Sequence, residues 1–219
     1  MKACAEISET YYGETPMRVK ICGITRLQDA LVAVECGAHS LGFVFVPGSP
    51  RFISAEKARE IIRMIPPYVT AVGVFVDVEE KEVRRIVERS GVGVAQFHGS
   101  ERPAFLRRFS FPVYKAFRVT AGFDIGVLQK YPGQAFLLDA SAEGSHGATG
   151  RSMSWPIAAR GAEYGKIILA GGLTAENVVR AIECARPYAV DVSSGVERSP
   201  GIKDGRKIAS FMKAVASAG

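Results

Sequence analysis

The sequence predicts a single (β/α)8 barrel, the TIM-barrel class of α/β fold, on three observations. Short apolar stretches alternate eight times with helical patterns, which favours parallel strands joined by helices. No change of composition separates these units, and ~200 residues are enough for eight of them. The dinucleotide-binding pattern GxGxxG does not follow the first strand, which weighs against the alternative, a doubly wound open sheet.

The eight predicted strands are short apolar or alternating stretches. The first alternates Val19 and Ile21 with Lys20, and the third is almost continuously apolar, as is typical of a strand covered on both faces. In order, the predicted strands are residues 18–22, 40–45, 70–76, 94–98, 113–119, 135–139, 166–170 and 188–192.

Helical patterns follow the strands and are bounded by capping and breaking residues. Thr25 with Gln28 predicts a capping box for the first helix, and Ser54 and Thr174 are predicted caps for the second and seventh. The predicted helices are residues 29–36, 55–65, 79–91, 102–109, a weak one at 122–131, 155–163, one after residue 174, and 204–216.

The barrel is predicted at residues 18–219, after an N-terminal extension at residues 1–17 whose order the sequence leaves open. The extension contains Glu6, Glu9 and Glu14 and lacks the apolar region of a signal peptide. No apolar run approaches the ~18 residues that cross a bilayer. We therefore expect no membrane partner.

The formal charge of +6 comes from 28 basic and 22 acidic residues that are interspersed along the chain. The densest charged run, residues 79–89, mixes both signs and carries apolar residues at helical spacing, which is typical of a solvated helix face. A small anionic substrate explains the excess at least as well as nucleic acid does. We expect a phosphorylated small molecule as partner and no nucleic acid.

The cysteines form no CxxC pair and the histidines are far apart in the sequence. They are Cys4, Cys22, Cys36 and Cys184, with His39, His98 and His146. This spacing predicts neither a metal site nor a disulfide framework, and it suits a reducing cytoplasm.

Barrels of this class bind substrate at the carboxyl ends of their strands. The residues that this rule brings to one mouth are Cys22, Arg51, Asp77, His98, Asp139, Gly171, Gly172, Asp191, Ser193, Ser194 and Gly195. The glycine-rich loops after strands seven and eight lie where such barrels hold phosphate, because glycine exposes backbone N–H groups to an anion. Ordinary turns are the alternative interpretation of these loops.

Cys22 and Asp139 are the candidate catalytic residues. Cys22 ends the first strand beside Gly23, which allows a ligand to approach the backbone, although many free cysteines are simply small core residues. Asp139 ends an apolar strand, where desolvation would raise its pKa and suit a general acid. Alternatively, it accepts hydrogen bonds from the loop at 144–150. A thiolate base needs nearby positive charge, but Lys20 is interpreted as alternating away from the surroundings of Cys22.

Six segments at these strand ends carry a family resemblance. They read KICGIT at 20–25, SPR at 49–51, QFHG at 96–99, LD at 138–139, LAGGL at 169–173 and DVSSGVE at 191–197. As a set they resemble the phosphoribosylanthranilate isomerases of tryptophan biosynthesis. The resemblance implies a cofactor-free, metal-free barrel that converts an aminoaldose phosphate to an aminoketose phosphate by an Amadori rearrangement.

The resemblance also implies residue roles. Cys22 would be the general base, Asp139 the general acid and Arg51 the partner of the anthranilate carboxylate. The implied substrate-binding residues are His98, Asp191, Gly171, Gly172, Ser193, Ser194 and Gly195, with the glycines and serines at the phosphate. Ala148 departs from the glycine that is usual in the family, and residues 1–17 have no counterpart in it.

Two other functions remain open from the residues alone. The first is a different sugar-phosphate isomerase or an epimerase, which often relies on metal ligands or paired carboxylates and fits a strand-one cysteine poorly. The second is a non-catalytic barrel that serves as an interaction scaffold or nucleic-acid binder. Contact with other enzymes of the tryptophan pathway is also left open.

Overall fold

Eight parallel strands close into a barrel in chain order, which confirms the predicted fold class. The computed structural model describes residues 16–120, 122–140 and 155–218. The strands are β1 (Arg18–Cys22), β2 (Ser40–Val44), β3 (Thr70–Phe75), β4 (Val94–Phe97), β5 (Val113–Arg118), β6 (Ala135–Asp139), β7 (Lys166–Ala170) and β8 (Ala189–Val192). The barrel closes where β1 pairs with β8, with Lys20 beside Asp191 in the register.

Helical segments connect the strands. The α-helices are α1 (Leu27–Glu35), α2 (Ala55–Ile62), α3 (Glu80–Ser90), α4 (Pro103–Leu106), α5 (Trp155–Arg160), α6 (Val178–Ala185) and α7 (Gly205–Ala216). Short 3₁₀ segments lie at Ile125–Lys130, Gly161–Glu163 and Ser194–Val196. An antiparallel pair that the sequence did not reveal, β9 (Glu197–Ser199) and β10 (Ile202–Lys203), follows β8.

The predicted helix caps had mixed outcomes. Ser54 accepts a hydrogen bond from the N–H of Lys57, which confirms the cap of α2. The Thr25 prediction is wrong, because α1 begins after Arg26 and the Thr25 hydroxyl donates to the carbonyl of Gly201 instead. That bond ties the loop after β1 to the turn between β9 and β10.

The Thr174 prediction is also wrong in its main part. The helix α6 begins at Val178, after a turn, and its N-cap residue is Asn177. The Asn177 side chain accepts the N–H of Thr174 at 2.8 Å, which is one of the two hydrogen bonds of a capping box. The same side chain donates to the carbonyl of Gly172, which fixes the loop after β7.

The main apolar core lies between the strands and the surrounding helices, and includes Phe43, Phe75 and Phe97. Smaller apolar clusters, formed by the alternate residues of the strands, fill the barrel interior. Polar residues also point inward, and Lys20, Gln96 and Asp191 are all buried. Because burial of polar groups is costly, their presence in the barrel interior indicates a functional site nearby.

Two predictions concern segments outside the described residues: the extension, at 1–15, and the glycine-rich loop at 143–150 with Ala148. The division of the chain at residue 18 stays a prediction. No described helix has the length and apolar character needed to span a membrane.

Candidate active site

A cavity of about 370 Å³ opens at the carboxyl ends of the strands. Its lining includes nine of the ten residues predicted to act in catalysis or substrate binding: Cys22, Arg51, His98, Asp139, Gly171, Gly172, Asp191, Ser193 and Ser194. The tenth, Gly195, does not line the cavity, and neither does Asp77, which was also predicted at the mouth. The candidates therefore converge from six strand ends, as the barrel rule predicts.

Cys22 ends β1 with its thiol at the edge of the cavity. The chain leaves the strand at once, because Gly23 adopts a left-handed φ of +79° that other residues rarely adopt. Across the ladder, Cys22 pairs with Gly42 of β2, and a Cβ at Gly42 would lie 2.6 Å from the Cys22 Sγ. The absence of a side chain at Gly42 thus makes room for the thiol.

Burial raises the pKa of the Cys22 thiol, and the ammonium group of Lys20 acts most strongly in the opposite direction. This corrects the interpretation that Lys20 alternates away from the thiol. Residues two apart in a strand point to the same face, and both side chains point into the barrel. The two-residue period of a β-strand is therefore enough to predict that Lys20 and Cys22 share a face of β1.

Asp139 ends β6, opposite Cys22, and its carboxylate is 19 % exposed. Its Oδ2 atom lies 3.8 Å from the Nε2 atom of His98, which follows β4 and also lines the cavity. Burial lowers the pKa of His98, while the Asp139 carboxylate acts in the opposite direction. The imidazole is therefore mainly neutral at neutral pH.

Arg51 is held by a partner that the sequence analysis did not assign. Its Nε donates to Oε1 of Glu197 at 2.9 Å, and its Nη2 donates to Oε2 at 2.7 Å. Glu197 also accepts a hydrogen bond from Lys203 at 2.9 Å. Glu197 stands in the DVSSGVE segment, but only the folded β9–β10 pair shows that it faces Arg51. One edge of the guanidinium is thereby fixed, and the Nη1 group donates to no other described residue.

Two glycine-rich loops, after β7 and β8, also line the cavity. Gly171 and Gly172 both have left-handed φ values, +99° and +62°. Their backbone N–H groups make no hydrogen bond within the described ranges. Gly195 serves a different purpose, since a Cβ there would collide with the carbonyl oxygen of Leu173. Gly195 thus allows the loops after β7 and β8 to touch.

The remaining cavity wall is apolar and was not predicted. It consists of Val44, Val46, Val74 and Val76, on β2, β3 and the loops that follow them. Val44 and Val46, like Val74 and Val76, are two residues apart. The alternation of a β-strand therefore predicts that each pair points to the same side once the barrel is assumed.

The described residues include no group of three His, Cys, Asp or Glu side chains arranged to hold a metal ion. Cys22, Asp139, His98 and Asp191 are side chains of the cavity lining that can transfer protons or form hydrogen bonds. A thiol and a carboxylate on opposite walls can exchange protons with different atoms of one bound molecule.

Comparisons with known proteins agree with this geometry. Residues 19–214 match the family model described as N-(5'phosphoribosyl)anthranilate (PRA) isomerase. A protein of that name from Geobacter sp. (strain M21) is 49% identical over 195 residues, covering 89% of this chain and 96% of the relative. One from Nitrosospira multiformis is 49% identical over 201 residues, covering 91% and 96%.

Solved structures give the same result. The phosphoribosyl anthranilate isomerase of Thermotoga maritima is 40% identical, with a TM-score of 0.84 and coverage of 92% of this chain and 99% of the other. A structure of such an enzyme in complex with reduced 1-(O-carboxyphenylamino)-1-deoxyribulose 5-phosphate is 39% identical, with a TM-score of 0.81 and the same coverage. The chain therefore belongs to the N-(5'-phosphoribosyl)anthranilate isomerase family.

Proposed function

We propose that this cavity isomerises N-(5'-phosphoribosyl)anthranilate with Cys22 as the general base and Asp139 as the general acid. The reaction is that of the family: an Amadori rearrangement to 1-(2-carboxyphenylamino)-1-deoxyribulose 5-phosphate in tryptophan biosynthesis. The observation that supports the two roles is the placement of one thiol and one carboxylate on opposite walls of a single cavity.

The chemistry assigns one proton to each group. Opening of the ribose ring requires a proton on the ring oxygen, which Asp139 donates as the C1′–O bond breaks and the anilino nitrogen forms an iminium. The iminium acidifies the proton at C2′, and the Cys22 thiolate removes it. The electron pair of that C–H bond neutralises the iminium, and the resulting enolamine tautomerises to the ketone. The electron sink belongs to the substrate, so the residues need supply only acid and base.

Different groups of the cavity fit the two charged groups of the substrate. Gly171, Gly172 and Ser194 offer backbone N–H groups and a hydroxyl to the phosphate. In the proposed complex, the remaining N–H groups of Arg51 bind the anthranilate carboxylate beside the valine wall. In this arrangement His98 and Asp191 contact the sugar between the two anchors.

A cytoplasmic location is part of the same proposal. The described cysteines Cys22, Cys36 and Cys184 are free thiols, as is usual for proteins of reducing compartments. The phosphorylated substrate is the proposed partner. The direct test of the function is loss of the fluorescence of N-(5'-phosphoribosyl)anthranilate on incubation with the purified chain, and no turnover would contradict it.

Arg51→Ala is expected to raise KM by roughly 10- to 100-fold, because a hydrogen bond to a charged group contributes about 1.5–3 kcal/mol. The turnover number should change less, and Arg51→Lys should restore binding only in part, since lysine lacks the planar fork. Steady-state kinetics with the fluorescent substrate measure both quantities.

Arg26→Ala is the matched control for this experiment. Arg26 makes a similar two-pronged contact, with Asp29, in the loop after β1, but it does not line the cavity. Its KM should equal that of the parent protein. An Arg51→Ala protein with unchanged KM would remove Arg51 from the substrate site.

Inorganic phosphate is expected to inhibit competitively by occupying the loops after β7 and β8. Ser194→Asp should weaken this inhibition at least about tenfold, because it places a like charge at the site. Ser194 is exposed and tolerates the change. Ser199→Asp, on an exposed residue outside the cavity, is the control. Non-competitive inhibition, or equal inhibition of both variants, would contradict the phosphate assignment.

A further inference from the structure

A lysine side chain is buried inside the barrel, one layer below the cavity. Lys20 is 3 % exposed, and its Nζ donates to Oδ2 of Asp191 at 2.8 Å. The two residues are register partners on β1 and β8, at the seam where the barrel closes. A buried ammonium is costly unless it is paired, and replacement of such pairs by apolar residues is often tolerated. A need beyond stability would explain why the pair is present.

The ammonium of Lys20 and the thiol of Cys22 border the same small space. The position of a Cβ at Gly42 would lie 2.6 Å from the Cys22 Sγ and 3.0 Å from the Lys20 Nζ. Gly42 is the register partner of Cys22 on β2. The glycine therefore leaves open the gap across which the two groups approach each other, and any side chain there would separate or displace them.

The Lys20–Asp191 pair is also incompletely satisfied for a purely structural contact. One carboxylate oxygen of Asp191 is bonded to Lys20, while the buried Oδ1 has no partner among the described residues. Asp191 lines the cavity. An unsatisfied buried carboxylate oxygen is uncommon in a contact that serves stability alone, which points to a further role for the pair.

We infer that Lys20 is a positioning residue that increases the thiolate fraction of Cys22, with Asp191 fixing the ammonium beside the sulfur. The inference rests on the proposed role of Cys22 as the base. The ammonium group of Lys20 supplies the positive charge that a thiolate base requires.

Several other groups also act on the thiol, so the contribution of Lys20 must be measured separately. Those that face it are Arg51 from the loop after β2, Tyr114 from β5, Asp191 from β8 and Lys203 from β10. Burial raises the pKa of Cys22, Asp191 adds to that rise, and Lys20 opposes it more than Lys203 does. Removal of the Lys20 charge should therefore leave less thiolate at any pH below the thiol pKa.

The test is alkylation of Cys22 by iodoacetamide in a full chain that carries Cys4→Ser, Cys36→Ser and Cys184→Ser. The rate is followed from about pH 6 to 11, a range that extends well above an ordinary thiol pKa because burial raises the pKa of Cys22. Adding Lys20→Met should move the midpoint upward by about one pH unit or more, so that alkylation at neutral pH slows at least about tenfold. A structural role alone would lower the melting temperature without moving the midpoint.

Lys115→Met is the matched control, because Lys115 is equally buried and paired with Glu101 but does not act on Cys22. Its midpoint should equal the parent value. If Lys20→Met does not fold, Lys20→Met with Asp191→Asn removes both charges and should still slow alkylation. Equal midpoints with and without the Lys20 charge would overturn the inference. Alkylation needs no turnover, so this result is independent of whether Cys22 proves to be the base.

Discussion

Replacement of Cys22 by serine is expected to lower kcat by roughly 10²–10⁴-fold, the contribution of one general base. A serine hydroxyl occupies a similar volume but does not ionise in the neutral range, so no base remains to remove the C2′ proton. The phosphate and carboxylate anchors are unchanged, and product affinity should therefore be retained. The measurements are turnover by loss of substrate fluorescence, product binding and the melting temperature.

Cys184→Ser and Cys36→Ser serve as controls, because both thiols lie outside the cavity. Neither should change kcat. The melting temperature of Cys22→Ser should stay close to that of the parent, since the residue borders the cavity and belongs to a small apolar cluster with Val44 and Val74. Near-full activity in Cys22→Ser would contradict its role as the base and would support the alternative, that Cys22 is a small core residue.

The barrel and the composition of its mouth could be predicted because they depend on local signals. Strand periodicity, glycine at turns and the rule that strand ends converge are enough to bring Cys22, Asp139 and His98 to one place. The exact partners could not be predicted in this way. Arg51 and Glu197 are 146 positions apart, and their contact depends on the β9–β10 pair, which has no strong pattern of its own.

The direction of the Lys20 side chain was interpreted wrongly for a different reason. Its inward direction follows from the same alternation that places Cys22, so the local signal was present. What the sequence could not show is that its partner is Asp191, because that pairing depends on the register at which β1 meets β8. A lysine in an interior position is readily assigned to solvent unless a carboxylate is known to face it.

The helix caps failed for a tertiary reason. Thr25 and Gln28 have the right spacing for a capping box, but the hydroxyl of Thr25 bonds to Gly201 in the folded chain. A long-range hydrogen bond, which fixes the loop after β1, thus forms in place of the local capping bond. Ser54 makes no long-range hydrogen bond to any residue that the structure describes, and it caps its helix as its sequence predicts.

Asp139→Asn is expected to lower kcat by roughly 10²–10⁴-fold, the range for loss of a general acid. The amide has nearly the same shape as the carboxyl group but cannot deliver a proton to the ring oxygen, so the ribose stays closed. Substrate and product should still bind, because neither anchor is altered. Steady-state kinetics and a product-binding titration on the same preparation separate the two effects.

Asp77→Asn is the matched control for this substitution. Asp77 also follows a strand end, but its carboxylate accepts hydrogen bonds from Ser100 at 2.7 Å and does not line the cavity. Its φ of 50° is one that asparagine adopts readily. The variant should therefore fold and keep the parent kcat.

His98→Asn decides between the two groups that could donate the proton, because Nε2 of His98 lies 3.8 Å from the Asp139 carboxylate. Burial lowers the pKa of His98, so little of the cationic acid exists at neutral pH. We therefore expect His98→Asn to raise KM and to lower kcat far less than Asp139→Asn does. The opposite order, with Asp139→Asn close to the parent and His98→Asn strongly impaired, would assign the general acid to His98.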